Sequence, residues 1–285
     1  MPLKSKYIRR TAFTLIELLV VIAIIALLLS IIVPSLKKAK QHAQSVICKS
    51  NVRQWGLVWK IYVDDYDEKF THWKCVGGTY HRGAWIQPLR EYFPEREKML
   101  LCPRASKPDP AQIIGGTMDT EAHGGVQYAY SMGAPSASEI AAGITEPEMC
   151  SYGLNNWCAN TNGQTGSIQD RNAVDYWQRT GNVFSPSQVP MMMDSMWRGG
   201  GPNTAAAPHY AAPAVNPEIQ DSWIGVGYDV SHFCVPRHSG QANGIYVDLH
   251  VENLSMDSLW RQKWYKNYNG FVPSNGWQEW MGQYE

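Results

Sequence analysis

Residues 9–34, RRTAFTLIELLVVIAIIALLLSIIVP, restrict the fold of this chain more than any other stretch. Between residues 13 and 33 every side chain is apolar except Thr14, Glu17 and Ser30. About 21 residues at 1.5 Å rise cover roughly 31 Å, the thickness of one hydrocarbon core. The segment is therefore expected to be a membrane helix that no globular core absorbs. Glu17 lies four residues into the run, where a charge costs about 2.5–3.5 kcal/mol on insertion scales and calls for a partner. Lys4, Lys6, Arg9 and Arg10 precede the run with no acid among residues 1–12. That asymmetry holds the N-terminus in the cytoplasm and sends the rest of the chain across the membrane. No small-x-small site follows the apolar core, which argues against a conventional secretory signal.

Beyond the run, residues 35–66 continue a helical pattern in two stripes. Leu36, Ala39, Ala43, Val46, Ile47, Ser50, Gln54, Leu57, Val58 and Ile61 form a small or apolar stripe. A second stripe, Cys48, Val52, Trp55, Trp59 and Tyr62, is too bulky and apolar to stay in water and is expected to lie on a globular domain. An unbroken helix from 13 to 62 would be roughly 75 Å long. Past Asp64, Asp65 and Asp67 the texture changes to short aromatic runs between Gly, Pro and Asn, the pattern of strands and loops. A short amphipathic helix is expected at 85–93, a strand entering a turn at 151–156 and a buried strand at 189–195 with Asp194 at its exit. The Gly, Ala and Pro content of 198–218 reads as a long surface loop. A strand is expected near 244–254 and a short helix with a Trp face around Leu259, Trp260, Lys263, Trp264 and Tyr268.

The segment RRTAFTLIELLVVIAII resembles the leader of type IV prepilins. The resemblance implies cleavage between Ala12 and Phe13 by a prepilin peptidase, N-methylation of Phe13, and pairing of Glu17 with the Phe13 amine of a neighbouring subunit. Pro34 resembles the proline that loosens the helix near the end of the membrane segment. Ala12 departs from the usual Gly before the cut, and cleavage is expected to be slower. The fold implied is α+β, a pilin-like lollipop: a long N-terminal α-helix on a C-terminal antiparallel β-sheet domain with long loops. Its parts are a leader (1–12), a transmembrane and polymerisation helix (13–34), an amphipathic continuation (35–63) and a globular β-rich domain (64–285).

The expected function is that of a pilin or pseudopilin, a structural subunit of a type IV pilus-like or type II secretion filament. It is expected to be no enzyme and to have no cofactor. The expected partners are the membrane, prepilin peptidase, identical or homologous subunits and the inner-membrane assembly platform. The expected location is the inner membrane, single-pass with the C-terminal domain periplasmic, and after assembly a periplasmic or extracellular filament. No G-x-S-x-G, H-E-x-x-H or spaced acid pair supports an anchored hydrolase. The alternative is a membrane-tethered extracellular binding module for polysaccharide or metal, with a glycan site placed around Trp277 and Trp280.

Charge and cysteine content fit export. The 285 residues carry no formal net charge. Loss of residues 1–12 removes four bases and no acid, leaving −4 and no basic surface for nucleic acid. Cys48, Cys75, Cys102, Cys150, Cys158 and Cys234 all fall beyond the membrane, an oxidising setting in which disulfides are favoured over buried thiols. Near the C-terminus, RHSGQANGIYVDLHVENL resembles the H-x9-DG motif of a family of prepilin-like proteins, with Leu249 in place of the motif Gly. Because Leu is penalised at positive φ, a changed turn is expected, or a strand that runs on through residues 245–252. His238, Asp248 and His250, with His232 nearby in sequence, are read either as structural hydrogen-bonding groups or as metal ligands. Asp64, Asp65 and Asp67 are read as a solvated helix end or a calcium site.

Overall fold

A computed structural model describes residues 14–72, 85–93, 99–108, 113–114, 117–118, 123–131, 148–168, 171–203, 211–217, 229–273 and 275–282. Ala12, Phe13 and Cys75 lie outside these residues. The chain divides into two compact units, Met1–Ala43 and Gln44–Glu285. The class is α+β: a long N-terminal helix followed by mixed, mostly antiparallel sheets.

The helix, α1, spans Leu15–Asp65 and contributes to both units. In the first, the large apolar side chains of residues 15–33 are between 46% and 81% exposed, so nothing in this unit buries them. A helix satisfies its own backbone groups, which is why a long run of Leu, Ile, Val and Ala adopts it in lipid. Pro34 lies inside α1, and the helix continues through it. At that point the helix lacks the hydrogen bond that proline cannot donate. Beside it, Ser35 Oγ donates to the Ile31 carbonyl at 3.1 Å.

In the second unit α1 is amphipathic. Cys48, Asn51, Val52, Trp55, Gly56, Val58, Trp59, Tyr62 and Val63 are buried, while Val46, Ile47, Leu57 and Ile61 are half or more exposed. The bulky stripe packs inward as expected. Val58, from the other stripe, is buried too. Trp55 donates from Nε1 to the Met99 carbonyl at 2.8 Å and stacks edge-on against Trp85 and Phe93. Gly56 lets the helix approach the sheet closely, since a Cβ there would meet Ile245 Cδ1 at 2.1 Å.

The main sheet has five strands: β1 Tyr152–Asn155, β2 Pro190–Asp194, β3 Gly199–Gly200, β4 Gln241–Tyr246 and β5 Val251–Ser255. Their spatial order is β3-β1-β2-β4-β5, antiparallel except for the β3/β1 pair. All five residues of β2, PMMMD, are buried, so the central strand reads as a continuous apolar run closed by one acid. A small three-stranded sheet of Lys107–Pro108, Tyr128–Ser131 and Met149–Cys150, short two-stranded pieces and 3-10 turns lie alongside it in the described domain. The short helix expected at 85–93 is present as an α-turn at Ile86–Leu89 and a 3-10 turn at Arg90–Tyr92.

Three expectations change. First, Gly199 and Gly200 are not loop but the buried edge strand β3, with Gly199 opposite Leu154 and Gly200 opposite Asn155. Glycine is required by proximity: a Cβ on Gly200 would sit 2.2 Å from the Asp229 carbonyl oxygen. Second, the strand at 244–254 does not run on. β4 and β5 form a hairpin in which Leu249 takes φ 72° and its N–H donates to the Tyr246 carbonyl. This is a three-residue loop whose last residue is left-handed, the position where Gly is preferred. Leu249 accepts the conformation while its side chain packs toward Gly56 of α1. Third, the C-terminal segment is a 3-10 helix at Asp257–Arg261 rather than an α-helix. Trp260, Trp264 and Tyr268 are nonetheless buried, with Trp264 Nε1 bonded to the Leu259 carbonyl.

Gly200→Ala should cost about 1–3 kcal/mol of stability through backbone overlap. Gly282→Ala, with nothing within 4 Å of the new methyl, should stay within about 0.5 kcal/mol. Thermal unfolding of the two variants in detergent checks the contrast.

Candidate functional site

At the membrane end, Thr14 and Glu17 close on each other. Glu17 Oε2 accepts from Thr14 N at 2.8 Å and from Thr14 Oγ1 at 2.7 Å, while Glu17 N donates to Thr14 Oγ1 at 3.3 Å. This is a capping box, a Thr followed three residues on by a Glu, with each side chain satisfying the other's backbone N–H. Glu17 therefore has a partner within its own chain, which was not anticipated from its sequence position. Both contacts use Oε2.

A second constellation lies inside the domain. Asp194, last residue of β2, is fully buried. Its Oδ2 accepts from the Asn243 backbone N–H at 2.8 Å and lies 3.3 Å from His238 Nε2. Its Oδ1 lies 3.3 Å from Arg237 Nη1 and 3.4 Å from Cys48 Sγ. His238 Nε2 is also 3.4 Å from Cys102 Sγ. Cys48, Cys102, Asp194 and His238 thus present four ligand atoms within 4.8 Å of one another, all from buried residues. Four segments meet there: α1, the residues after Leu100, the exit of β2 and the start of the β4 hairpin. Tyr152 Oη points at Cys48 Sγ from 3.5 Å, and His238 Nδ1 has no hydrogen-bond partner among the described residues.

Arg237 fixes the cluster in place. Its guanidinium donates to the carbonyls of Val126 (2.9 Å), Ser151 (2.6 Å), Gly125 (2.8 Å) and Ser195 (2.9 Å) as well as to Asp194. A planar donor fork suits this many acceptors in a dry interior.

The titrations follow from these contacts. Burial pushes Asp194 up, but His238 and Arg237 outweigh it and hold the carboxyl below its usual value. Burial pushes His238 down, but Asp194 and Cys102 raise it to about 9. Burial opposes ionisation of Cys102, yet bonds from Cys48 and His238 and the Arg237 charge bring it to about 6. Cys48 moves well up, chiefly through burial. The favoured pattern is one thiolate and one imidazolium beside a carboxylate.

The disulfides favoured for this compartment are absent among the described cysteines. Cys48, Cys102, Cys150, Cys158 and Cys234 are free and buried. Cys48 and Cys102 have turned to Asp194 and His238, and burial raises Cys150 to about 11 and Cys158 and Cys234 further.

The structure does not bring His238 to Asp248 and His250. Those two pair at the exposed hairpin turn, Asp248 Oδ1 to His250 Nδ1 at 2.6 Å, and the His250 ring stacks on Tyr246. His232 contacts the Gly199 carbonyl instead. Asp64 pairs with Lys60, and Asp65 accepts from Tyr92 Oη, so these acids serve the helix end. Trp280 is in the core, bonded to the Pro213 carbonyl. Trp277 is 42% exposed, with the Arg261 guanidinium over its ring at 5.4 Å. Asp194 and Arg237 were the residues that sequence reading did not assign to a site. Their only trace is an acid closing an apolar strand and an arginine next to a histidine.

Comparison with known proteins bears on the N-terminus. Residues 8–33 match the family model described as the prokaryotic N-terminal methylation motif. The N-terminal segment is prepilin-type. The match makes that segment type IV pilin-like, of the kind a prepilin peptidase processes, and among the described residues one helix is long and apolar enough to cross a membrane. Neither the curated proteins nor the solved structures yield a match.

Arg237→Met leaves the Asp194 carboxylate buried without its guanidinium and removes a donor from the carbonyls of Gly125, Val126, Ser151 and Ser195. It should destabilise the domain by about 3–5 kcal/mol, and adding Asp194→Asn should cost less than the sum of the single changes. Denaturant titration of the four proteins measures the coupling.

Proposed function

We propose that the chain is a pilin or pseudopilin, a structural subunit of a type IV pilus-like or type II secretion filament. The observation that carries this reading is the methylation motif at residues 8–33, lying on a helix whose apolar side chains nothing in its own unit covers. A helix of this composition is stable in lipid, and the same apolar surface is stable against copies of itself.

On this reading the peptidase cuts between Ala12 and Phe13, and Phe13 is methylated. The cut frees an amine one residue before the Thr14 and Glu17 capping box. Glu17 then meets the Phe13 amine of a neighbouring subunit, a pairing that its second carboxylate oxygen leaves room for. The N-terminus faces the cytoplasm before the cut, and the domain lies on the far side. In the second unit, the exposed side chains of Val46, Ile47, Leu57 and Ile61 offer further apolar surface for a neighbouring subunit. The segment from His238 to Leu249 is a degenerate H-x9-DG element that shapes the core and hairpin. The domain performs no reaction. Cutting, extraction and polymerisation belong to the peptidase and the inner-membrane assembly platform.

Glu17→Ala should leave cleavage largely intact and sharply reduce filament assembly, scored by sheared-filament yield and microscopy. Undiminished filaments would refute the pairing. Mass spectrometry of chain exposed to the cognate peptidase should show N-methylated Phe13 as first residue. A chain that retains residues 1–12 would refute the processing site.

A further inference from the structure

We propose that Cys48, Cys102, Asp194 and His238 form a closed zinc site that staples α1 to the sheet. The argument begins with distances. Around a tetrahedral zinc with bonds of about 2.3 Å to sulfur and 2.0–2.1 Å to nitrogen or oxygen, a sulfur and a nitrogen or oxygen lie about 3.6 Å apart, and a nitrogen and an oxygen about 3.3 Å. The protein holds Cys48 Sγ 3.4 and 3.6 Å from the two Asp194 oxygens, Cys102 Sγ 3.4 Å from His238 Nε2, and His238 Nε2 3.3 Å from Asp194 Oδ2. With Asp194 Oδ2 as the carboxylate ligand, three of the six ligand–ligand distances have the length that a zinc tetrahedron requires. The two sulfurs belong to the same group, in which all four ligand atoms lie within 4.8 Å of one another.

Donor chemistry selects the metal. Two sulfurs, an imidazole and a carboxylate suit a borderline-soft ion without geometric demands, whereas calcium and magnesium require oxygen donors. All four ligand residues are buried, and the protein supplies the complete set, which describes a structural site rather than a catalytic one.

Charge supports the same reading. Zinc binding displaces one proton from the Cys48 thiol and one from the His238 imidazolium, so that two thiolates, one carboxylate and a neutral imidazole surround a dication and leave a net −1. The Arg237 guanidinium, 3.3 Å from Asp194, neutralises it. The outer contacts are of the kind that orient ligands. Arg237 and the Asn243 N–H hold the carboxylate, and Tyr152 Oη reaches Cys48. The staple would join helix, loop, central strand and hairpin at one point.

The test uses the full-length chain in detergent, kept reduced, exposed to zinc and then dialysed against metal-free buffer. Elemental analysis should find about one zinc per chain. Cys48→Ser with Cys102→Ser should bring this to background, while Cys158→Ser, a buried thiol elsewhere in the core, should retain it. Because the double variant could lose zinc by failing to fold, cobalt is loaded into the wild type as an independent reading. The expected spectrum has thiolate-to-metal charge-transfer absorption in the near ultraviolet and the intense visible bands of tetrahedral cobalt. Three results would overturn the proposal: no zinc retained by the reduced wild type, zinc retained by the double serine variant, or a Cys48–Cys102 disulfide in chain isolated from membranes without reductant.

Discussion

One buried carboxylate organises the domain. Asp194 closes the central strand, lies out of reach of solvent, and is engaged by Arg237, His238, Cys48 and the backbone of Asn243. An ionised acid in a dry interior is tolerated only when its lone pairs are met, and here contacts arrive from three other parts of the chain. The same Arg237 fork then reaches Gly125, Val126, Ser151 and Ser195, so one ion pair ties the loop at 125–126 to the paired ends of β1 and β2. A second buried pair, Arg171 with Asp229, repeats the device near β3, where Arg171 also bonds the Gly201 carbonyl. In a domain made of short strands and irregular loops, such polar ties select one arrangement where apolar packing alone would permit several.

The N-terminal unit follows the opposite logic. Its helix needs no tertiary partner for its backbone, and its side chains remain available to lipid or to neighbouring helices. The lone acid in that surface is held by Thr14 in a local cap, so Glu17 is accommodated within its own helix. The prepilin-type motif and this exposed apolar surface are what support the proposal of a subunit that moves from membrane to filament.

Much of the architecture was legible in the sequence because it depends on local periodicity. The apolar run, the bulky stripe from Cys48 to Tyr62, and the β2 run with Asp194 at its exit can all be read from the order of residues. What escaped depends on contacts between distant segments. Gly199 and Gly200 look like loop by composition, yet they form a strand because Asp229 and β1 lie too close for side chains. Leu249 looks incompatible with the hairpin turn, but its packing toward Gly56 keeps it there. His238 was paired with Asp248 because ten positions separate them, whereas the fold gives it Asp194, forty-four positions away. Of the cysteines counted for disulfides by compartment, Cys48 faces a carboxylate and Cys102 an imidazole.

The most direct test of Asp194 as the organising group is hydrogen exchange on the full chain in detergent, comparing wild type with Asp194→Asn. The expected result is a joint loss of protection in peptides covering residues 45–52, 99–105, 190–195 and 237–243, with residues 15–33 unchanged. Loss confined to residues 190–195 would contradict the account, because the carboxylate would then be a local feature of one strand.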